Sequence, residues 1–180
     1  MELKHIQAKR LHARLCAVAG KEAADRLLAD LPLSASPTDT RKAEWACRSC
    51  AALHACLDDE AFDTVRRGCH CKPSPASVKR MKALWDASAD AADFAAKATE
   101  GASGAFTLEA EDGALLLTYP VCYCPFIKRA TAEAPADWCV CSLGYADDMY
   151  AQVTGRPVHS ELVESVVTGA DRCRIRVRLL

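Results

Sequence analysis

The apolar residues at the start of the chain recur at the spacing of an amphipathic helix. Between residues 2 and 31 they follow one another mostly in steps of three or four among charged residues: Leu3, Ile6, Leu11, Leu15, Val18, Leu27, Leu28 and Leu31. A stripe with this period buries one face of a helix, so the segment predicts one long helix or two consecutive helices. The proline-containing stretch LPLSASPTD that follows ends this helical region.

Two more helices are predicted in the region that follows. Thr38 or Asp39 can cap a helix that runs through about Leu57, since both side chains accept hydrogen bonds from the first N–H groups of a helix. Ser77 can open another helix that runs through about Thr99. The segment CHCKPSPAS between them is predicted to be a loop.

After the GASG linker the pattern changes from helical spacing to short apolar runs. AFTLEAEDGALLLTYP places two such runs on either side of the dipeptide Asp112-Gly113, the strongest short-range signal for a β-hairpin. A helix from about Asp137 to Val153 is predicted next. The stretch PVHSELVESVVTGADRCRIRVRLL then predicts a second hairpin that turns at residues 168–171.

These elements predict an α+β fold, with a helical N-terminal half and a C-terminal antiparallel sheet of two hairpins with an intervening helix. Residues 1–104 would form a mainly helical, cysteine-containing region and residues 105–180 an α+β domain, although the two could be fused into one globular unit. The last strand alternates arginines with apolar residues, which predicts one solvated and one packed face. Glu161 and Glu164 on the preceding strand could pair with these arginines.

The composition is that of a globular protein without a strong charge bias. The chain has 180 residues, 51% of them hydrophobic, and a formal net charge of −1. This balance gives no electrostatic reason to expect nucleic acid or an anionic membrane surface as a partner. The sequence shows neither the roughly 20 apolar residues that cross a bilayer nor the apolar run of a signal peptide. We therefore predict a cytoplasmic protein whose thiols are reduced.

Cysteines are the most unusual feature of the sequence. Eight of the 11 form close pairs: Cys47 and Cys50, Cys69 and Cys71, Cys122 and Cys124, and Cys139 and Cys141. In a cytoplasmic protein such pairs are poorly explained by structural disulfides and are typical of metal ligands or redox groups. Four thiolates satisfy a zinc ion or an iron–sulfur cluster, so all eight are predicted to bind metal, with zinc slightly favoured.

The spacing indicates how the eight cysteines could divide into sites. One set would combine the helical pair Cys47 and Cys50 with the loop pair Cys69 and Cys71, and His54 on the same helical stripe could replace one ligand. The other set would combine the pair after the first hairpin with the pair that opens the next helix, where exposed N–H groups favour thiolates. A single site shared by pairs from both halves of the chain is an alternative.

The remaining candidates have simpler interpretations. Cys16, Cys56 and Cys173 lie at apolar positions, and we expect them to be core residues. The aromatic side chains that flank the pairs could line a pocket or shield a metal site from water: Trp45, Tyr123, Trp138 and Tyr145. No catalytic residue can be assigned, because Ser142 after the last pair lacks the motif of a nucleophilic elbow.

The C-terminal third also contains a recognisable pattern. WCVCSLGYADDMYAQVTGRPVHSELVESVVTGADRCRIRV combines a cysteine before a Gly-Tyr helix, a Gly-x-Pro-Val entry into a strand and a Gly-Ala-Asp-x-Cys turn. These features fall on Cys139, Gly144, Tyr145, Gly155, Val158, Gly169 and Cys173. The pattern resembles the family of four-vinyl-reductase-type small-molecule-binding domains and aminothiazoline carboxylate hydrolase-like proteins. The resemblance implies an α+β ligand-binding domain at residues 105–180, a pocket for a small apolar or heterocyclic ligand, and sometimes a bound metal.

Three classes of function fit the sequence. The first is a cytoplasmic metal–thiolate protein, with zinc or an iron–sulfur cluster, whose α+β domain binds a small molecule. The second is an enzyme, either a hydrolase of a small cyclic amide or thiazoline or a cluster-dependent reductase. The third is a thiol-based redox switch whose thiolates release their metal on oxidation. We favour the first, with a small-molecule ligand as partner and with neither nucleic acid nor a membrane.

Overall fold

The computed structural model describes residues 2–129 and 135–180. Within these residues the chain forms seven α-helices, most of them in the N-terminal half, and a four-stranded antiparallel sheet in the C-terminal half. The predicted α+β fold is therefore confirmed. None of the helices formed by the described residues is long and apolar enough to span a bilayer.

A glycine divides the first helical segment in two. Helix α1 spans Ile6–Ala19 and helix α2 spans Lys21–Ala29. Gly20 between them has a φ of 88°, a left-handed conformation that residues with a side chain rarely adopt. His5 caps α1, since its Nδ1 accepts a hydrogen bond from the backbone N–H of Gln7 at 3.1 Å. The sequence allowed one helix or two, and the backbone at Gly20 selects two.

The next two helices begin at polar caps. Helix α3 spans Asp39–Cys56 and is capped by Thr38, as predicted. Helix α4 spans Asp59–Gly68 and is capped by the carboxylate of Asp58. The sequence analysis did not predict α4, because the helix is short and its buried side includes the charged Arg66, which weakens the apolar periodicity.

The helix predicted from Ser77 to Thr99 is in fact two helices. Helix α5 spans Pro75–Asp86 and helix α6 spans Ala91–Gly101. Asp90 opens α6 by accepting a hydrogen bond from the backbone N–H of Asp93 at 2.9 Å. The apolar spacing alone predicted one helix, but a second polar cap divides this region into two helices.

The sheet is built from the two predicted hairpins. Strands β1 (Thr107–Glu111) and β2 (Ala114–Tyr119) form the first, with Gly113 at a φ of 66° in the turn. Strands β3 (Val158–Glu164) and β4 (Cys173–Leu179) form the second. The strand order is β1-β2-β4-β3, and every neighbouring pair is antiparallel.

The helix predicted between the hairpins is present, and so is the solvated arginine face. A 3-10 turn at Ala136–Cys139 leads into helix α7, which spans Val140–Thr154. Three arginines of β4 form ion pairs with glutamates: Arg174 with Glu164 at 3.7 Å, Arg176 with Glu111 at 2.6 Å and Arg178 with Glu161 at 3.0 Å. Exposed pairs of this kind contribute little stability, so this face is a solvated surface.

The chain divides into two compact units. Unit 1 comprises Met1–His70 and Cys124–Cys141, and unit 2 comprises Cys71–Tyr123 and Ser142–Leu180. The core of unit 2 consists mainly of apolar side chains, and its most buried members are Phe94, Leu115, Val153 and Val177. The core of unit 1 contains tryptophan, cysteine and arginine side chains as well as leucines. The predicted division into domains at residue 104 stays a prediction.

Candidate functional site

An arginine is buried in the core of unit 1. Arg66 lies on α4 and is only 2% exposed. Its Nη2 donates a hydrogen bond to the backbone oxygen of Trp138 at 2.7 Å, and its Cζ lies 4.2 Å from the centre of the Trp138 ring. The guanidinium is thus held against the indole by a hydrogen bond and a cation–π contact.

Two further aromatic rings pack beside this contact. Trp45 meets the rings of Phe126 and Trp138 edge to face at 5.8 and 5.9 Å, and Phe126 stacks on Trp138 at 5.0 Å. Trp45 Nε1 donates to the backbone oxygen of Leu31 at 3.0 Å. The Nε1 of Trp138 and the Nε of Arg66 are also buried, but neither has a hydrogen-bond partner within residues 2–129 and 135–180. Two buried donors of one stacked pair are therefore unsatisfied by the described part of the chain.

Cysteine thiols complete the surroundings of Arg66. The thiols of Cys50, Cys69 and Cys141 interact electrostatically with the guanidinium, which also forms a hydrogen bond with Cys69. Cys141 further interacts with Cys69, Cys124 and Cys139, and Cys50 interacts with Cys47 and Cys139. These six cysteines, together with Arg66, are called the thiol cluster below: Cys47, Cys50, Cys69, Cys124, Cys139 and Cys141.

Burial keeps the thiols around Arg66 protonated. It raises the pKa of Cys50 to about 11 and that of Cys141 to about 12, and it also raises the pKa of Cys69. The positive charge of Arg66 opposes each shift but does not reverse it. Near neutral pH these three thiols therefore carry no negative charge that could neutralise the guanidinium.

The nearby carboxylate is already engaged. Asp137 acts electrostatically on the thiol of Cys50, but its Oδ2 lies 2.9 Å from Nε2 of His54. The imidazole of His54 stacks on Phe62 with the ring centres 3.9 Å apart. The predicted substitute ligand His54 is thus paired with a carboxylate. Among the described residues, Arg66 itself contacts the backbone oxygen and the ring of Trp138 and the thiol of Cys69, and none of these has a fixed negative charge.

The structure does not keep the predicted cysteine sets apart. Cys47, Cys50 and Cys69 of the first set lie in unit 1, whereas Cys71 belongs to unit 2, where it interacts with Tyr145. Of the second set, Cys122 belongs to unit 2 and the other three belong to unit 1. Within unit 1 the thiol cluster mixes both sets, which is closer to the alternative of a shared site than to two separate ones.

The predicted metal–thiolate function is wrong. Among residues 2–129 and 135–180, no three His, Cys, Asp or Glu side chains are grouped so that they could hold a metal ion. The physical reason is visible at Arg66, because a guanidinium among Cys50, Cys69 and Cys141 repels any further cation. The cluster-dependent reductase and the switch that releases zinc lose their basis together with the metal.

The remaining candidates lie in different environments. Of the predicted pocket residues, Trp45 and Trp138 lie in unit 1, and Tyr123 and Tyr145 lie in unit 2. The expectation that Cys16, Cys56 and Cys173 are core residues is wrong, since Cys56 is exposed and the other two are only half-buried.

Arg66 is the main residue that the sequence analysis missed. It follows Phe62 by four residues and precedes Cys69 by three, so all three lie on one face of α4 and its cap. An arginine between two apolar positions on such a stripe indicates a buried cation. The signal was present, but it is recognisable only once α4 is known to be a helix.

Two surface cavities offer less specific chemistry. One of about 270 Å³ beside Trp45 is lined by Arg41 and Arg48, but Arg41 pairs with Glu44 at 3.1 Å and Arg48 donates to the backbone oxygen of Asp30 at 2.5 Å. The other, of about 360 Å³, lies in unit 2 at the end of β1 and β2. The polar groups of the first are already engaged, so it presents no obvious ligand-binding residue.

Solved structures with a similar chain trace include H-NOX proteins and a sensory domain. An H-NOX protein from S. oneidensis in the Fe(II)NO ligation state is 14% identical, with a TM-score of 0.46, and the alignment covers 97% of this chain and 98% of that one. A variant of Tt H-NOX is 12% identical, with a TM-score of 0.42 and coverages of 95% and 92%. The phenol-responsive sensory domain of the transcription activator PoxR with phenol is 16% identical, with a TM-score of 0.30 and coverages of 99% and 76%.

These likenesses are too weak to support an assignment, since every TM-score is below 0.5. The first structure is described in an Fe(II) ligation state and the third with phenol. None of the three is described with zinc or an iron–sulfur cluster. They therefore give no support to the predicted cofactors.

The resemblance of the C-terminal third to four-vinyl-reductase-type and aminothiazoline carboxylate hydrolase-like proteins is also wrong. Gly155 and Gly169 have φ values of 69° and 92°, so turn geometry alone requires glycine at two positions of that pattern. No curated protein matches the chain. A family model does match residues 1–180, and by it the chain belongs to the family of unknown function DUF6144.

Proposed function

We propose that this protein binds a small carboxylate-bearing molecule at Arg66 and Trp138 in the core of unit 1. The observation that carries the proposal is the pair of unsatisfied donors, Arg66 Nε and Trp138 Nε1, within one stacked and buried contact. Buried donors without a partner cost about 1–3 kcal/mol each and are rare in native proteins, where they point to a ligand, an ordered water or a functional role.

The charge of Arg66 favours an anion over water as the missing partner. A buried guanidinium needs a negative charge close by, and removal of such a partner from a buried pair typically costs 3–5 kcal/mol. The thiols of Cys50 and Cys141 cannot supply it near neutral pH, because burial raises their pKa values to about 11 and about 12. A bound water would satisfy the donors but would leave the charge uncompensated.

A carboxylate fits these donors better than a spherical anion. Arginine presents parallel N–H groups along one edge, and these match the two oxygens of a planar carboxylate. The rings of Trp45, Phe126 and Trp138 offer an apolar wall for the remainder of a small ligand. The thiols add weak hydrogen-bond donors without adding negative charge.

Thermal unfolding tests the proposal directly. The protein would be heated in sodium formate, acetate and benzoate, with sodium chloride at the same ionic strength as the control. A ligand present at a hundred times its Kd stabilises the folded state by about 2.7 kcal/mol, so we expect at least one carboxylate to raise the Tm by about 5–10 °C. No shift beyond that seen in chloride with any of the three would contradict the proposal.

A matched pair of arginines identifies the site. Arg66→Met replaces the buried cation with an apolar chain of similar length, whereas Arg67→Met removes the neighbouring arginine, which pairs with Asp63 at 2.6 Å on the same helix. We expect the carboxylate-dependent shift in Tm to disappear in Arg66→Met and to persist in Arg67→Met. An equal shift in both variants would place the ligand elsewhere and overturn the assignment of the site.

Trp138→Phe tests the contribution of the indole N–H to binding separately from that of the aromatic ring. The phenyl ring preserves an aromatic contact with Arg66 but removes the unsatisfied donor. We expect this variant to bind the active carboxylate at least about tenfold more weakly, as measured by titration calorimetry, because a hydrogen bond to a charged group contributes about 1.5–3 kcal/mol. Unchanged affinity would exclude Trp138 Nε1 from ligand recognition.

A further inference from the structure

A second pair of cysteines, Cys122 and Cys173, belongs to unit 2 and not to the thiol cluster. Cys173 begins β4 and is paired across the sheet with Tyr119, and Cys122 follows the end of β2. The side chain of Cys122 forms a hydrogen bond with Cys173. Neither cysteine is in a disulfide, and both are half-buried rather than enclosed.

Three donors converge on the sulfur of Cys173. Besides the thiol of Cys122, the backbone N–H of Val166 lies 3.4 Å from Sγ and the hydroxyl of Ser165 lies 3.8 Å from it. Hydrogen bonds to a sulfur from several donors stabilise its ionised form. The geometry is that of a thiolate held in place at the edge of the unit 2 core.

Hydrogen-bond donors affect the pKa of Cys173 more than the charged and titratable groups around it do. The hydrogen bond from Cys122 is the largest cause that lowers the pKa of Cys173, and together with the smaller contributions of Val166 and Ser165 it brings this pKa to about 6 against the opposing effect of burial. The carboxylate of Glu164 acts in the opposite direction, and it also lies 3.7 Å from Arg174. Tyr119 across the sheet stays neutral, because burial raises its pKa.

The surface beside the thiol pair is apolar and exposed. Val121 is 52% exposed and Tyr123 is 51% exposed, and these two residues flank Cys122 on both sides. Tyr123 also contacts Tyr119 with the ring centres 5.7 Å apart. A nucleophilic sulfur bordered by a solvent-accessible aromatic and an aliphatic side chain fits a small apolar reactant better than a charged one.

We propose that Cys173 is a nucleophile that adds to small apolar α,β-unsaturated carbonyl compounds, with Cys122 as the proton donor. The Cys173 sulfur forms a C–S bond to the β-carbon, and the π electrons of the C=C bond move onto the carbonyl to give an enolate. The Cys122 thiol gives its proton to the α-carbon of this enolate, and solvent reprotonates Cys122. The product is a thioether, and no oxidant or reductant takes part.

Limited alkylation tests the reactivity of Cys173. The full chain would be treated at pH 6 with a substoichiometric amount of N-ethylmaleimide, an α,β-unsaturated imide, and the modified cysteines would be counted by peptide mass spectrometry. At this pH an ionised fraction of about one half outweighs the lower basicity of the thiolate, so we expect Cys173 to react about tenfold faster than N-acetylcysteine. A rate equal to or below that of N-acetylcysteine would overturn the proposal.

Substitutions of Cys122 test its role as donor. Cys122→Ser retains a hydrogen-bond donor and should leave the rate at pH 6 within about twofold of the original, whereas Cys122→Ala should lower it severalfold and move the pH midpoint of the reaction upward. Identical pH profiles in both variants and in the unaltered protein would exclude Cys122. Arg66→Met alters unit 1 and should leave this reaction unchanged, so the result is independent of the proposed carboxylate site.

Discussion

The cores of unit 1 and unit 2 differ in how they treat polar groups. The core of unit 2 is built mainly of apolar side chains, although it also encloses the hydroxyl-bearing Tyr150, and the half-buried Thr99 at its margin both accepts a hydrogen bond from Leu108 N and donates one to Leu108 O, at 2.8 and 3.0 Å. In the core of unit 1, Arg66 and Trp138 each retain a buried N–H that has no partner among the residues that the structure describes. The first arrangement is what stability requires, and the second costs stability.

This difference makes the buried polar groups of unit 1 candidates for a functional role. A core that only has to fold can be built from apolar side chains, since replacing a buried ionic group by apolar ones is often neutral or stabilising. Unit 1 nevertheless keeps a guanidinium among thiols. In unit 2 the proposed reactive groups are Cys122, which follows the end of β2, and Cys173, which begins β4. Neither belongs to the apolar core.

The largest expected effect contrasts the two cores directly. Phe94 is fully buried and meets Trp85 edge to face at 5.1 Å, so Phe94→Ala should lower the free energy of unfolding by about 3–5 kcal/mol. Arg66→Met should change it by less than about 1 kcal/mol or increase it, because an apolar chain fills the site of an uncompensated cation. Urea titrations followed by circular dichroism give both values.

The contrast between the two cores would be refuted if, without carboxylate, Arg66→Met lowered the free energy of unfolding as much as Phe94→Ala does. That result would mean that the guanidinium already has its full set of partners. A gain in stability from added carboxylate in the unaltered protein, combined with a small cost of Arg66→Met without it, would sharpen the contrast.

A smaller effect concerns the satisfied polar group of unit 2. Thr99→Val removes both hydrogen bonds to Leu108 while preserving the shape of the side chain, and it should cost about 1–3 kcal/mol, because a buried N–H and C=O lose their partner. Thr107→Val on the exposed side of β1 is the control and should stay within about 0.5 kcal/mol. Equal values for the two variants would show that the hydrogen bonds of Thr99 are dispensable.

The smallest effect is a pH dependence in unit 1. Burial, with a smaller contribution from Lys42, lowers the pKa of His5, whose neutral Nδ1 caps α1 and whose ring lies 5.4 Å from Phe126. The stabilisation from this neutral cap is complete above the ordinary pKa of about 6.5 and is lost as the pH falls through the lowered value. His5→Asn retains a cap and should lose less stability than the unaltered protein in urea titrations between pH 7.5 and pH 5. A parallel loss in both proteins would remove His5 as the cause.

Local signals in the sequence were sufficient for most of the fold. Thr38 predicted the start of α3, Asp112-Gly113 predicted the first hairpin, and the alternating arginines predicted a solvated face on β4. Each of these signals acts through neighbouring residues in the chain or directly across a hairpin. The misses, α4 and the break at Asp90, occurred where a buried charge or a second cap interrupted the apolar spacing.

Local signals were not sufficient for the site. The close pairs of cysteines indicated metal because spacing along the chain reveals which thiols are near one another in sequence, but not what lies between them in space. In unit 1 the guanidinium of Arg66 on α4 acts electrostatically on three of these thiols, and its positive charge disfavours a further cation there. The partner of Cys173 could not be read from spacing either, because Cys122 lies 51 residues earlier in the chain.

The sequence by itself thus determined most of the elements, since helix caps, turns and apolar periodicity are interactions over a few residues. Only the tertiary structure decided which polar groups share an environment. Arg66 contacts Trp138 across 72 residues of chain, and this contact is the basis of the proposed carboxylate site. Burial and electrostatics depend on all neighbours in space, and those neighbours are chosen by packing rather than by order along the chain.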